Sequence, residues 1–230
     1  MTDPMRTSPL SQQLEGQAAR LAVVQEMNTV VEARNEAESS AALTLCDASA
    51  LPRFGICGPR AARWLTDQAV ALPRAVLGTQ ALPPDGLCLR TGEAEFIVED
   101  GPEGSAASDL ARALGCGLDG VYPVLRQDAQ ILLRGEQACD VLAQVCAVNF
   151  RAPGERLVFT RLAGVSCAVL PPASQPWFRI WIDATHAVYL WQTLLQIVRE
   201  LDGGVSGLAS FFPRCSHRSK SPAHTKEQTK

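Results

Sequence analysis

The chain contains 230 residues, of which 47% are hydrophobic and 20% are charged, and its formal net charge is −3. The mean hydropathy of +0.02 is typical of a globular protein and excludes a chain that is disordered throughout. No segment approaches the ~20 consecutive apolar residues of a membrane helix, and the first residues lack the apolar run of a secretory signal. We therefore expect a soluble cytoplasmic protein of one or two domains with no membrane partner.

Charge is distributed unevenly along the chain. Residues 205–230 contain five basic residues and one acidic residue, which leaves 16 basic and 23 acidic residues in the rest of the chain. An acidic body lacks the clustered Lys and Arg side chains that neutralise phosphates, so we expect no nucleic-acid partner. The last stretch is polar, contains proline and shows no apolar periodicity. This pattern predicts a basic disordered tail over residues 205–230.

The first forty residues differ in character from the rest. Residues 1–40 are polar and rich in Ala, Glu and Gln, which predicts a partly ordered N-terminal arm with a helix around Gln12–Met27. From residue 41 onward, short apolar strings alternate with Gly/Pro turns and helical segments. These strings predict strands, and the segments after Gly58, around Ala106–Leu114, after Gly135 and after Asp183 predict helices.

The predicted elements repeat in order, which indicates an internal duplication. Gly58 to Leu65 and Gly135 to Leu142 share the pattern G-x-x-A-x-x-x-L after a strand-like pentapeptide. The strings EFIVED and FRIWID each precede a helix at matching distances. We therefore predict an α+β fold with two strand–helix–strand–strand–helix halves, residues 41–117 and 118–204. Each half would form a mixed sheet with helices on one face.

Groups that could carry out chemistry are scarce. Of the three histidines, two lie in the predicted tail and one, His186, lies at the start of the last helix. Phosphate-binding, dinucleotide-binding, nucleophile-elbow and zinc-protease motifs are all absent. Glu99 and Asp100 are interpreted as exposed carboxylates at the end of a strand. The eight cysteines contain no C-x-x-C pair and mostly lie in apolar strings, which predicts buried free thiols rather than zinc ligands. We expect this chain to supply no catalytic, cofactor-binding or metal-binding residue.

Several strings together resemble a known family. GICGPRAARWL, EFIVED, the block from Leu133 to Val148 and the Tyr189-Leu190-Trp191 run are similar to the gamma subunit of heterotetrameric sarcosine oxidase. The resemblance covers roughly Leu43 to Gly204. It implies the two-part fold of the folate-binding aminomethyltransferase domain, which agrees with the predicted duplication.

The resemblance implies a non-catalytic subunit within a larger complex. In the family, alpha, beta and delta subunits accompany the gamma subunit, and the complex carries FAD, FMN, NAD and zinc on those other subunits. It demethylates sarcosine, or a related N-methyl amino acid, oxidatively and transfers the one-carbon unit to tetrahydrofolate. No cofactor is expected on the gamma subunit itself, and the family provides no catalytic residue to transfer to this chain.

A non-catalytic subunit acts by binding, so part of its apolar surface should be exposed when it is alone. Tyr189 and Ile197 lie outside the main apolar stripe of the last helix, and Trp177 precedes the final strand. We therefore predict Trp177, Tyr189 and Ile197 as candidate residues of the partner interface, since large aromatics often anchor such surfaces. For Trp177 and Trp181 as a pair, filling of the core is the favoured interpretation and an interface role is the alternative.

Two other functions remain open at the level of the sequence. The first is a stand-alone folate-binding one-carbon protein of the aminomethyltransferase superfamily, although the chain is short for a full aminomethyltransferase. It also lacks the K-G-C-Y-x-G-Q string of the iron–sulfur repair type. The second is a cysteine enzyme that uses Cys57, which stands just before Gly58 at a helix start, where a thiolate is favoured.

Overall fold

A computed structural model describes residues 6–34, 36, 42–152, 154, 156–173 and 175–218. The N-terminal region forms a hairpin of strands β1 (Ala18–Val24) and β2 (Met27–Ala33), preceded by one 3-10 turn at Ser11–Leu14. The predicted helix over Gln12–Met27 is therefore wrong. The burial of β1 alternates with period two rather than with a helical period. Gln25 and Glu26 both have positive φ angles and close the turn, but neither residue type is the usual signal for it.

The remaining strands form two sheets. A five-stranded sheet has the order β5-β6-β7-β4-β8, and a six-stranded sheet has the order β10-β11-β12-β9-β3-β13. The strands are β3 (Thr44–Asp47), β4 (Arg53–Cys57), β5 (Thr79–Leu82), β6 (Gly86–Gly92), β7 (Glu95–Glu99), β8 (Tyr122–Val124), β9 (Ala129–Arg134), β10 (Val158–Leu162), β11 (Val165–Leu170), β12 (Phe178–Ile182) and β13 (Gly204–Val205).

Helices cover one face of each sheet. Four of them are α1 (Ala61–Asp67), α2 (Ala106–Leu114), α3 (Ala138–Val145) and α4 (Ala187–Glu200). The apolar faces of α1 and α2 share a core with the five-stranded sheet, and those of α3 and α4 share a core with the six-stranded sheet. The predicted α+β class, with helices on one face of each sheet, is confirmed. The other faces of the two sheets meet each other through a third apolar cluster that includes Leu89, Ile97 and Trp181.

The two halves exchange their first strands. Strand β3 precedes β4 in sequence but pairs with β9 of the other sheet, and β8 precedes β9 but pairs with β4. Two glycines at equivalent positions explain how the exchange is accommodated. Gly58 and Gly135 both have φ above +120°, and a Cβ atom on them would lie 2.4 Å from Gly120 O and 2.7 Å from Leu43 Cα. Only glycine tolerates both the conformation and the close approach. Neither sheet therefore coincides with residues 41–117 or 118–204.

The C-terminal region departs from the predicted disordered tail over residues 205–230. β13 pairs in parallel with β3, and a short helix α5 (Leu208–Phe211) and a 3-10 helix at Pro213–Arg218 follow. Phe211 and Phe212 are buried against the N-terminal hairpin and Trp177. The prediction is wrong for this segment, because the polar final residues outweighed the apolar Leu208–Phe212 string in the composition. Residues 219–230 lie outside the described residues.

Candidate functional site

A buried polar cluster occupies the space between the two sheets, with the Glu99 carboxylate at its centre. Glu99 accepts hydrogen bonds from Trp181 Nε1 at 2.6 Å and from Gln130 Nε2 at 3.0 Å. It accepts a third from Arg179 Nη1, and Arg53 Nη1 lies 3.8 Å from its second oxygen. Its side chain is fully buried. The prediction that Glu99 is an exposed strand-end carboxylate is therefore wrong, because the second sheet covers this end of β7.

The duplication explains how these residues meet. Arg53 pairs with Glu99 across β4 and β7, and Gln130 pairs with Trp181 across β9 and β12. The two cross-strand pairs occupy equivalent places in the two sheets. Because the sheets face each other, the pairs come together at the middle of the interface. The periodicity of the sequence could not show that these four residues meet, because each of them lies on a strand whose other residues are mostly apolar.

The cluster holds two guanidinium groups and one carboxylate, with Asp128 acting on Arg53 and Asp85 on Arg179 from outside it. The side chains of Arg53 and Arg179 are each only 3% exposed, and both guanidinium groups share the single carboxylate of Glu99. Burial lowers the pKa of both arginines, and the nearby Glu99 opposes that shift. Arg179 donates good hydrogen bonds to Glu99 and Gln175, but Nε and Nη1 of Arg53 have no hydrogen-bond partner among the described residues. Of the two buried arginines, Arg53 is therefore the one with more hydrogen-bond donors left without a partner among the described residues.

Two cavities open on opposite sides of this cluster. The larger has a volume of 530 Å³ and lies between the β5–β6 turn and the β11–β12 connection, with Arg214 on its wall. The smaller has a volume of 260 Å³ and is lined by Arg53, Arg126 and Trp181 together with apolar side chains. Arg179 faces the first cavity and Arg53 the second, so the Glu99 cluster forms the partition between them.

The larger cavity is rich in hydrogen-bond donors. Trp177 lines it, and the Nε1 of this buried indole has no hydrogen-bond partner among the described residues. Arg179, Gln175 and Arg214 also line it, and Asp85 is the one carboxylate among its lining residues within the described part of the chain. Leu82, Pro83 and Leu170 supply apolar walls. A volume of 530 Å³ lies within the ~300–1,000 Å³ typical of small-molecule sites.

Asp100 also differs from its predicted role as an exposed carboxylate. It is buried, and its Oδ2 accepts a 3.0 Å hydrogen bond from the backbone N–H of Ala107 at the start of α2. Burial raises the pKa of Asp100 to about 6, and the backbone N–H groups of Ala107 and Ala106 oppose the shift. The carboxyl therefore serves as the N-terminal cap of α2.

The three predicted interface residues do not share a surface. Trp177 and Ile197 are buried, Trp177 against Phe211 and Phe212 and Ile197 within the core below α4. The burial of Trp177 under the C-terminal segment agrees with its favoured core role. The expected exposure of Ile197 is wrong, because the apolar stripe of α4 is wider than its periodicity indicates. Tyr189 is 53% exposed, and its hydroxyl donates a 3.1 Å hydrogen bond to Ala163 O.

Most of the cysteines are covered by neighbouring residues. Burial raises the pKa of Cys88 to about 12 and that of Cys167 to about 11, so these thiols stay protonated at neutral pH. Cys57 is half-buried at the end of β4. Among the described residues, no group of His, Cys, Asp and Glu side chains could hold a metal ion. None of the helices in that part of the chain is long and apolar enough to span a membrane.

Comparison with known proteins shows relationships at the level of structure. No protein-family model matches the chain, and no curated protein matches its sequence. The fold resembles aminomethyltransferase T of the glycine cleavage system from Bartonella henselae, with 20% identity and a TM-score of 0.64. The match covers 90% of this chain and 60% of that one, so the chain spans less than two thirds of the aminomethyltransferase.

A second similar structure is heterotetrameric sarcosine oxidase from Corynebacterium sp. U-96, again with 20% identity and a TM-score of 0.64. Here the match covers 85% of this chain and 96% of the other chain. At this identity the two matches show a common fold, which is the aminomethyltransferase-like fold.

Proposed function

We propose that this chain is a gamma-type accessory subunit of a cytoplasmic sarcosine oxidase-type complex. The observation that carries the proposal is the difference in coverage between the two similar structures. The chain accounts for 96% of a chain in the heterotetrameric oxidase but only 60% of the aminomethyltransferase. The match therefore spans nearly a whole oxidase chain but only part of the transferase.

In the proposed complex the chemistry takes place on other chains. The alpha, beta and delta subunits would carry FAD, FMN, NAD and zinc, and would oxidatively demethylate sarcosine or a related N-methyl amino acid. The one-carbon unit would pass to tetrahydrofolate. This chain would contribute a rigid surface, and the Glu99 cluster supports that role, because it ties both sheets together through buried hydrogen bonds from Trp181 and Gln130.

The proposal is tested by copurification. The chain is expressed with an affinity tag together with alpha, beta and delta subunits of a sarcosine oxidase-type complex. We expect all three to be retained with the tagged chain through salt washes, while the isolated chain binds no flavin and forms no peroxide from sarcosine. Retention of none of the three, or flavin and oxidase activity in the isolated chain, would contradict the proposal.

A stand-alone folate-binding protein is the second candidate, and the 530 Å³ cavity favours it. The donors of Trp177, Gln175 and Arg214 would suit a ligand with many acceptor atoms, as a folate has. Titration of the isolated chain with tetrahydrofolate distinguishes the two functions. Saturable binding that is weakened by Arg214→Gln would support the folate-binding candidate. Absence of binding would support the accessory-subunit role instead.

A further inference from the structure

The smaller cavity combines features of a binding site that the proposed function does not use. It has a volume of 260 Å³, and its apolar walls include Leu89, Ile97, Leu157 and Phe159. All but Phe159 belong to the contact between the sheets, whereas Phe159 is 60% exposed at the edge strand β10. A large aromatic side chain that is mostly exposed therefore stands beside a pocket with a buried interior.

The charged residues that line this cavity are two arginines and Glu95. Arg53 and Arg126 both line it. Asp128 offsets Arg126 with two hydrogen bonds, of 3.0 and 3.2 Å, whereas the carboxylate nearest Arg53 is Glu99 at 3.8 Å, which Arg179 engages more closely. Nη2 of Arg53 donates to the backbone carbonyl of Asp128 at 2.7 Å, but its Nε and Nη1 donate no hydrogen bond to any described residue.

A buried cation without full compensation attracts an anion. Removing a guanidinium group from water costs several kcal/mol unless charged partners and hydrogen bonds replace its hydration. Arg53 and Arg179 share the Glu99 carboxylate, and the charge of Asp128 also acts on Arg53, but Nε and Nη1 of Arg53 donate no hydrogen bond to any described residue. A ligand carboxylate would accept hydrogen bonds from these two nitrogens, while the apolar walls would exclude water from the pair. Glu95, on the same cavity wall, disfavours ligands with a second negative charge.

We propose that the cavity between Arg53 and Phe159 binds a small monocarboxylate with a compact apolar or aromatic body. Its carboxylate faces Arg53 and its body lies against Trp181, Ile97 and Phe159. The volume of 260 Å³ suits a small molecule, and a second cavity of 440 Å³ shares Arg126, Phe159, Ala168 and Trp181 with it. The site is separated from the 530 Å³ cavity by the Glu99 cluster and does not depend on the proposed role in an oxidase complex.

The test uses the full chain, with benzoate as the probe and benzamide as the neutral control of the same shape. Binding is measured by calorimetry and by the rise in melting temperature that ligand binding to the folded state produces. We expect saturable binding of benzoate and at least about tenfold weaker binding of benzamide, because the charge-assisted hydrogen bond is lost.

Three variants locate the site. Arg53→Met should weaken benzoate binding about tenfold or more. Phe159→Ala, at an exposed position that does not threaten folding, should weaken it about threefold. Arg214→Gln, in the other cavity, should leave the affinity unchanged. If Arg53→Met does not fold, Phe159→Ala and the benzamide control still decide the outcome. Absence of saturable benzoate binding, equal binding of benzamide, or an effect of Arg214→Gln alone would overturn the proposal.

Discussion

Glu99 accepts a 2.6 Å hydrogen bond from Trp181, and the two residues hold equivalent positions in the two halves of the molecule. Each is the cross-strand partner of another member of the same cluster, Arg53 for Glu99 and Gln130 for Trp181. At this pair of equivalent positions, the first half thus supplies a carboxylate and the second half supplies a hydrogen-bond donor. A contact of this kind joins the two sheets directionally, which apolar packing alone does not do.

The first prediction concerns the charge of Glu99. Glu99→Gln keeps the shape of the side chain but removes the carboxylate that the buried guanidinium groups of Arg53 and Arg179 share. We expect a loss of about 3–5 kcal/mol in the free energy of unfolding, the range for breaking a buried ion pair. Urea denaturation measures the loss. Glu93→Gln is the control, because the Glu93–Arg90 pair is exposed on the Glu93 side and should change stability by less than about 1 kcal/mol. Equal effects of both substitutions would contradict the buried cluster.

The second prediction concerns pH. Burial raises the pKa of Asp100 to about 6, above its ordinary value of 3.8. The folded state therefore holds more protons than the unfolded state between these two values, and stability falls as pH rises through that interval. We expect this one group to lower the free energy of unfolding by about 1–2 kcal/mol between pH 4 and 7, after allowance for screening by water.

The measurement for Asp100 is a comparison with Asp100→Asn, which keeps an acceptor for the α2 backbone but cannot ionise. The difference in unfolding free energy between the variant and the wild type should grow in favour of the variant as pH rises from 4 to 7. Asp47, which is fully desolvated and has its pKa raised in the same direction, contributes equally to both proteins and cancels. A difference that is independent of pH would show that Asp100 stays ionised throughout.

The third prediction concerns the C-terminal segment. Phe212 is buried, and its ring centroid lies 5.7 Å from that of Trp177. Phe212→Ala should lower the free energy of unfolding by about 3–5 kcal/mol, the usual cost of truncating a buried phenylalanine. Phe159→Ala, at a position that is 60% exposed, is the matched control and should change stability far less. Thermal melting that shows no difference between the two variants would mean that the segment after Gly207 does not pack as described.

The fourth prediction separates a surface residue from a core residue. Tyr189→Ala should melt close to the wild type but bind the proposed partner subunits about fivefold or more weakly, since exposed aromatics are frequent anchors of interfaces. Tyr189→Phe keeps the ring and removes only the hydroxyl that donates to Ala163 O, so it should bind nearly normally. Trp177→Ala should instead melt far below the wild type. Normal partner binding by Tyr189→Ala would place the interface elsewhere.

The fold class and the duplication could be predicted from sequence because local patterns report them. The equivalent glycines Gly58 and Gly135 and the helices after them mark the repeat directly. The exchange of β3 and β8 could not be predicted, since strand pairing between distant segments leaves no local signal. The hairpin of β1 and β2 was missed because Gln25 and Glu26 adopt positive φ angles that their residue types do not indicate.

The cluster around Glu99 was missed for a related reason. A carboxylate next to a turn is usually exposed, and only the contact between the two sheets buries Glu99 and gives it Arg179 and Trp181 as partners. The burial of Trp177 also depends on residues that are distant in the sequence. The sequence left an interface role open for Trp177, because the residues that cover it, Phe211 and Phe212, lie more than thirty positions later.

Native mass spectrometry tests the accessory-subunit role most directly. The alpha, beta and delta homologues are coexpressed with and without this chain and purified through a tag on the alpha subunit. We predict that the complex gains one subunit of 24.7 kDa when the chain is present, and that sarcosine-dependent peroxide formation by the complex falls when it is omitted. A fully active complex of the other three subunits that never gains the 24.7 kDa subunit would contradict the assignment.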